Sequence, residues 1–271
     1  MKTPLLILGA TGGVGRGVVA AAAKAGRPVI AVARDKAGLQ KLQARYPDAD
    51  ITLLQGSVAN EDQGAKLADA VRELGQPLGG VIVAVCGGGG RGRLLDQPAT
   101  ALRRTFDEDL LPHLVAARHL LPLLAASKRG GYVLIGGPGG EQPWAGYGRR
   151  SIGAAALRML ARVLHDEARS HAVRVQLLLV DTPVRTEENL GHACSRWPDV
   201  LAVGQRAIAL VDRVENLTPA RALVRYTPPA GEPPDLSDPA IDADAQCQTD
   251  ARALLDSLAS NITSFREASP R

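Results

Sequence analysis

Short, mainly apolar runs recur along this chain, and stretches of helical spacing separate them. Residues 5–8, 28–33, 51–54, 80–85, 132–135 and 173–180 are such runs, with 222–226 a shorter seventh. Apolar runs of this length fit buried strands. Between them, residues 18–25, 36–46, 61–74, 147–170 and 199–213 are spaced as helices. Residues 100–127 are longer and read as two helices, because Pro112 and Pro122 limit their regularity. Strands alternating with helices predict βαβ units, and hence an α/β fold. The expected architecture is a doubly wound parallel sheet of about seven strands in a three-layer α/β/α arrangement. From Thr227 the composition changes: Pro228, Pro229, Pro233, Pro234 and Pro239 mark a linker. The expected organisation is a domain over residues 1–227, then a Pro-rich linker and helical tail over 228–271, with a helix at 246–262. No internal repeat is visible.

The chemistry sits where the runs end. The first strand breaks into Gly9-Ala10-Thr11-Gly12-Gly13-Val14-Gly15, and a helix follows. A tight turn, close backbone approach and the free N–H groups of a helix start are what a dinucleotide diphosphate requires. A glycine turn leaving an N-terminal strand is a far more specific signal than a lone glycine triplet. The second strand ends at Ala33-Arg34-Asp35, about 20 residues on, where a Rossmann unit reads the adenosine ribose. An acid there selects NAD; here Ala33 takes that place, and the Arg34 guanidinium suits a 2′-phosphate, favouring NADP over NAD. The alternative is that Arg34 points to water beside Asp35. The fourth strand runs into Cys86-Gly87-Gly88-Gly89-Gly90, and ligands of parallel sheets sit outside the carboxyl ends of strands. That places Gly87 near the first turn; a loop without contacts is the bland alternative.

Composition narrows the function class. Of 32 basic residues only six are Lys, and the Arg residues are scattered among 28 acids for a net charge of +4. Without a basic run or an interleaved aromatic stripe, a nucleic-acid partner is not expected. Cys86, Cys194 and Cys247 are too few and too far apart for a disulfide framework or a zinc site. No segment approaches the roughly 20 apolar residues of a membrane span, so neither a membrane partner nor a metal is expected, and a cytoplasmic location is. His113, His119, His165, His171 and His192 form no pair at helical ligand spacing, and the glycine turn lacks the Gly-Lys-Ser/Thr of a phosphate-binding loop for ATP.

The order of elements and the motifs at their ends resemble the short-chain dehydrogenase/reductase family, over about residues 1–226. The family's Thr-Gly-x-x-x-Gly-x-Gly is met by Leu8-Gly9-Ala10-Thr11-Gly12-Gly13-Val14-Gly15, with Leu8 replacing the Thr. The Ala33-Arg34 strand end is similar to that of NADP-preferring members, and Ser57-Val58 stand where the family has Asp-Val beside the adenine. The resemblance implies a cofactor site at Gly9, Thr11, Gly13, Val14, Gly15, Arg34, Ser57, Val58 and Gly87.

The catalytic half departs from the family. Asn-Asn-Ala-Gly becomes Ala84-Val85-Cys86-Gly87, Asp109 takes the place of the Asn in the next helix, and the Ser-Ser after the fifth strand becomes Gly136-Gly137. The active-site Tyr-x-x-x-Lys becomes Tyr147-Gly148-Arg149-Arg150-Ser151. A Tyr hydroxyl has an ordinary pKa of about 10 and needs a fixed positive charge to work near neutrality. Ser151 carries none. Arg150, three residues on, shares a helix face with Tyr147 and is the candidate substitute, whereas Arg149 points elsewhere. The resemblance implies an NADP-dependent oxidoreductase acting on a carbonyl or alcohol, with Tyr147 as acid/base and Arg150 tuning it. Tyr147 as an aromatic packed at the cleft and Arg150 as a solvated charge are the alternatives. They correspond to a catalytically impaired member that binds NADP(H) as a sensor or scaffold for a partner. Arg91, Arg93 and Arg185 hint at an acidic group on the substrate. The helices around residues 110–124 and 154–164 often pair subunits in this family, which implies a homo-oligomer, a dimer or a tetramer.

Overall fold

The central apolar runs form strands because both of their faces are covered. β1 (Leu5–Leu8), β2 (Val29–Ala33) and β4 (Gly80–Val83) are buried at every position. With β3 (Ile51–Gln55), β5 (Gly131–Gly136), β6 (Arg174–Leu179) and β7 (Leu223–Arg225) they make one parallel sheet. The order is β3-β2-β1-β4-β5-β6-β7. Order reverses at β1, so the crevice between β1 and β4, at their carboxyl ends, is where a parallel sheet of this kind receives a ligand. The structure is a computed structural model and describes residues 3–87, 91–127, 130–144, 146–212 and 221–228. The expected helix at 246–262, nearly all of the expected linker, and Gly88–Gly90 lie outside the described residues.

Helices cover both faces. Those described are α1 (Gly13–Lys24), α2 (Lys36–Arg45), α3 (Glu61–Glu73), α4 (Ala99–Asp109), α5 (Leu111–Ala126), α6 (Gly148–Ala168) and α7 (Val200–Asp212). Two apolar cores result. One lies under α3, α5 and α6 and includes Leu6, Val83, Leu120 and Leu177; the other lies under α1, α2 and α7 and includes Ile7, Val19, Ile82 and Val203. Tight packing of α1 on α7 depends on Gly17 and Gly204: a Cβ on Gly204 would stand 2.8 Å from the Gly17 carbonyl carbon. Among the described residues no helix is long and apolar enough to cross a membrane.

Two of the expected boundaries, the start of α1 and the end of β4, move for a physical reason. α1 begins at Gly13 rather than near Val18, since the glycines occupy a first turn where packing, not propensity, decides. β4 stops pairing at Val83, because the Val85 carbonyl leaves the sheet to accept from His113 Nε2 at 3.1 Å. The long helical stretch is two helices, as expected, and breaks at Leu110 (φ −114°, ψ −56°), next to Pro112.

Candidate active site

β1 ends at Leu8 and the chain turns through Gly9, whose φ of +77° belongs to the left-handed region that favours glycine. The Gly9 and Ala10 N–H groups both donate to the Val32 carbonyl, at 3.0 and 3.1 Å, and Gly12 N–H donates back to the Gly9 carbonyl at 3.0 Å. A Cβ on Gly15 would stand 2.7 Å from the Gly9 carbonyl carbon and closer still to its oxygen, so α1 starts hard against the turn. The helix has Gly12 as its N-cap, no side-chain cap and no acid in its first turn. Its first N–H groups have no intrahelical acceptor, and with the helix dipole they form an anion cradle.

A carboxylate of the chain itself lies close to that cradle, held by a side chain of α1. A Cβ on Gly13 would lie 3.1 Å from Thr186 Cγ2 and 3.6 Å from Glu188 Oε2, both in the segment after β6. Glu188 is ion-paired with Arg16, whose Nη1 also donates to the Thr11 carbonyl at 2.7 Å. The neighbouring Glu187 accepts from Arg45 Nη1 at 2.8 Å, and that bond holds its carboxyl below the ordinary range. A diphosphate carries the same charge sign and accepts the same donors, so the residues of the turn fit a dinucleotide.

At the adenosine end, Arg34 is exposed just beyond β2, and its guanidinium has no hydrogen bond or ion pair with the described residues. Asp35 is committed elsewhere. As the N-cap of α2 it accepts from Ala37 N and Gly38 N at 3.0 and 2.9 Å, so it does not face a ribose as a free acid. The Thr11 methyl lies 3.1 Å from the Cβ position of Gly38, beside the same helix start. Ser57 Oγ accepts from Ala59 N at 3.2 Å, which fixes the turn after β3. Val14 is half-buried against the α1–α7 core. Val58, only 5% exposed, packs into the other core, so a base there would meet its main chain and not its side chain.

The glycine turn and the exit of β4 are in contact, for a Cβ on Gly9 would stand 3.0 Å from the Ala84 carbonyl carbon. Two successive helical turns hold that exit. Asp109, at the end of α4, accepts from Gly87 N–H, and His113 in α5 donates to the Val85 carbonyl. Burial pushes the His113 imidazole down to about 4, so it is neutral, and its Nδ1 has no partner. Cys86 leaves surface exposed while its thiol is crowded from behind. That desolvation raises the thiol pKa, and of the two charges acting on it Arg150 lowers it and Asp109 raises it. Arg150, half-buried in the first turn of α6, is near enough to the β4 exit for its charge to act there.

Tyr147 is the N-cap of α6. Its ring stacks on Trp144, with centroids 4.3 Å apart and planes at 23°, and its N–H donates to the Trp144 carbonyl at 2.9 Å. A bridge from Gly92 to Tyr147, with Gly92 N–H donating to the Gly146 carbonyl at 2.8 Å, ties the post-β4 loop to this helix start. Arg149 turns away toward α4, where its Nη1 donates to the Ala101 carbonyl at 3.3 Å. After β5, the Cβ position of Gly137 has open space around it, where the resemblance led one to look for a hydroxyl donor.

The role of Ser151 was not foreseen. Only 8% exposed, its Oγ accepts from Trp144 N at 2.9 Å and donates to the Tyr147 carbonyl at 3.2 Å. In place of a lysine the chain has a clasp for the loop that presents Tyr147. Nothing near Ser151 in sequence signals this, nor the Gly87–Asp109 and Arg16–Glu188 pairs, whose members lie 22 and more residues apart. Among the described residues no three His, Cys, Asp or Glu side chains gather as a metal site.

Comparison with known proteins gives a family-model match, short chain dehydrogenase, over residues 4–191. A curated relative, an isoflavone reductase homolog from Zea mays, is 39% identical over 75 residues, 26% of this chain; the chain spans only 23% of that protein's length. Among solved structures, a short-chain type dehydrogenase/reductase from Mycobacterium ulcerans is similar at a TM-score of 0.72 and 22% identity, covering 82% of this chain and 87% of its own. ElxO with NADP bound is similar at 0.74 and 16%, covering 83% and 97%. An apo short chain oxidoreductase from Pseudomonas aeruginosa PAO1, described as containing an atypical catalytic center, is similar at 0.73 and 16%, covering 85% and 98%. At such identities these structures share the fold.

Proposed function

Because this chain belongs to the short-chain dehydrogenase/reductase family, we propose that it is an NADP-dependent oxidoreductase acting on a carbonyl or alcohol, with Tyr147 as its acid/base. The carrying observation is the glycine cradle at the start of α1, whose first N–H groups have no intrahelical acceptor, no side-chain cap and no acid in the first turn. NADP is favoured over NAD because Arg34 is free at the end of β2 while Asp35 is consumed as a helix cap. ElxO, of like fold, is bound to NADP. Gly9, Gly12, Gly13, Val14 and Gly15 hold the diphosphate, Thr11 and Arg34 the 2′-phosphorylated ribose, and Ser57, Val58 and Gly87 the remaining walls. Diphosphate entry displaces Glu188, whose pair with Arg16 is exposed and worth little.

When bound, NADPH would supply a hydride to the substrate carbonyl carbon. Tyr147 would give its proton to the carbonyl oxygen and regain one from water. Arg150, a turn away, favours the phenolate left behind, and the Gly137 N–H takes the polarising place of the absent hydroxyl. Titration of nicotinamide fluorescence should show NADPH binding more tightly than NADH. In a carbonyl panel, Tyr147→Phe should lower turnover by roughly 10²–10⁴-fold; equal rates in the two proteins remove Tyr147 from the chemistry.

A second reading, a dinucleotide-binding sensor or scaffold, is favoured by Ser151, which spends its hydroxyl on the loop and gives Tyr147 no charge. Self-association belongs to the same proposal. Leu111 and Leu114 on α5 and Met159 and Val163 on α6 are exposed apolar side chains, and a groove of 490 Å³ between these helices is lined by Leu121, Pro122 and Leu164. A homodimer covers such a face. A cytoplasmic setting fits the free thiols of Cys86 and Cys194.

A further inference from the structure

Most arginines near the candidate site are already engaged. Arg93 faces Asp96 at 3.6 Å, Arg185 faces Asp199 at 3.7 Å, and Arg158 faces Glu141 at 3.4 Å. Arg149 donates to the Ala101 carbonyl, and Arg225 pairs with Glu141 and Asp181. Two remain. Arg91 and Arg150 have no hydrogen bond and no ion pair with the described residues. Both lie beside Tyr147. Arg91 runs across Gly146, its Nε 3.6 Å and its Cγ 3.8 Å from the Cβ position there, and Gly146 is the residue before Tyr147. Arg150, half-buried one turn beyond Tyr147, acts with its charge on the Cys86 thiol.

Neither nearby acid, Asp109 nor Glu108, forms an ion pair with Arg91 or Arg150. Asp109 also acts on Cys86, but its Oδ1 takes the Gly87 N–H. Glu108 is ion-paired with Arg104, its Nε donating at 2.6 Å. The first turn of α6 contains Arg149 and Arg150, no acid and no side-chain cap, so the helix dipole adds to the local positive potential. Two guanidinium groups without an ion-pair partner among the described residues, one against Gly146 and one in the first turn of α6, give the surroundings of Tyr147 a positive bias that an anion would relieve.

We propose that the substrate is an anion, a carboxylate- or phosphate-bearing carbonyl or alcohol whose acidic group is held between Arg91 and Arg150 while its reacting oxygen meets Tyr147. This rests on the oxidoreductase reading for the reaction, and on the arginine placement alone for the anion. A guanidinium can grip either oxyanion with two parallel N–H donors, so the shared chemistry is a planar or tetrahedral oxyanion close to the carbonyl. Arg150 then serves both the anion and the Tyr147 oxygen, and Arg91 serves only the anion.

The test reads binding apart from turnover. The NADPH-loaded full chain is titrated calorimetrically with simple carboxylates, with the matching carboxamides, and with phosphate monoesters of the same carbon skeleton. Carboxylates or phosphate monoesters should bind at least about tenfold more tightly than the carboxamides, and the stronger of the two identifies the oxyanion. Arg91→Gln and Arg150→Gln should each erase about that factor with NADPH affinity unchanged, and Arg91→Lys should restore part of it. Among reducible carbonyls, Arg91→Gln should raise KM for oxo acids and leave KM for their methyl esters in place. Equal binding of acids and amides, or a preference that survives both substitutions, overturns the proposal. Tight anion binding with no turnover of any carbonyl would leave the anion site standing and reject the oxidoreductase reading instead.

Discussion

Removal of the Ser151 hydroxyl isolates what the clasp contributes. In Ser151→Ala the Tyr147 carbonyl keeps one partner, since Ser151 N still donates to it at 3.0 Å. The Trp144 N–H does not: its only acceptor among the described residues is Ser151 Oγ at 2.9 Å. Stranding one partly buried donor costs about 1–2 kcal/mol. For a domain of this size that lowers Tm by roughly 2–8 °C. The second consequence is positional. Trp144 stacks on the Tyr147 ring, and a Trp144 main chain without its anchor lets both rings drift; a displacement of this kind costs about tenfold in kcat. NADPH affinity should stay put, because the glycine cradle shares no residue with the clasp. Ser151→Lys should not rescue the enzyme. A Cβ on Gly139 would lie 2.8 Å from Ser151 Oγ, so a lysine stem must push the loop aside, and it leaves the same Trp144 N–H stranded. Thermal unfolding and steady-state kinetics of the two variants decide the matter. An unchanged Tm in Ser151→Ala, or turnover raised by Ser151→Lys, would refute the clasp.

Four further outcomes are expected. Arg34→Ala should narrow the preference for NADPH over NADH by about tenfold or more, measured as the ratio of dissociation constants. Tyr132→Phe should stabilise the fold by roughly 1 kcal/mol in urea unfolding, because the Tyr132 hydroxyl is wholly buried with no partner and burial raises its pKa. His113 titrates at about 4 folded against 6.5 unfolded, so the unfolded chain binds the extra proton between those values. Stability from this group is full above pH 6.5 and falls by about 3 kcal/mol on going down to pH 4; His113→Gln, which can still donate to Val85, should flatten that slope in unfolding measured across the range. Met159→Glu should convert a dimer to monomers in sedimentation without altering NADPH binding, since Met159 is exposed on the α5–α6 face, away from the cradle.

The sheet was legible because burial on both faces leaves no choice of residue type. β1, β2 and β4 are apolar at every position, and such runs announce themselves without periodicity. Boundaries were less legible where a distant group decides them. The helix start at Gly13 contradicts propensity and is fixed by the Gly9 carbonyl behind Gly15 and by α7 packed on Gly17. β4 ends two residues early because His113, 28 positions downstream, takes the Val85 carbonyl.

The same division separates the halves of the site. A diphosphate cradle is built by one turn and one helix start, so its signature is a spacing within seven residues, and Gly9, Gly13 and Gly15 carry it openly. A catalytic constellation is built across strands, and substitutions there can be judged only by what they touch. Sequence alone presents Ser151 as a lost lysine and Asp109 as a lost asparagine. In space each has a partner: Ser151 anchors Trp144, and Asp109 holds Gly87. A residue that had merely decayed would have no reason to be buried and fully bonded, as Ser151 is at 8% exposure. The positive charge missing at position 151 is found again one residue earlier, on Arg150, and across the loop, on Arg91. Guanidinium groups stay protonated at any working pH, so the site they form cannot share a proton as a lysine does; it can only hold an anion or favour one. On that ground the departures from the family pattern describe a site reorganised around negative charge.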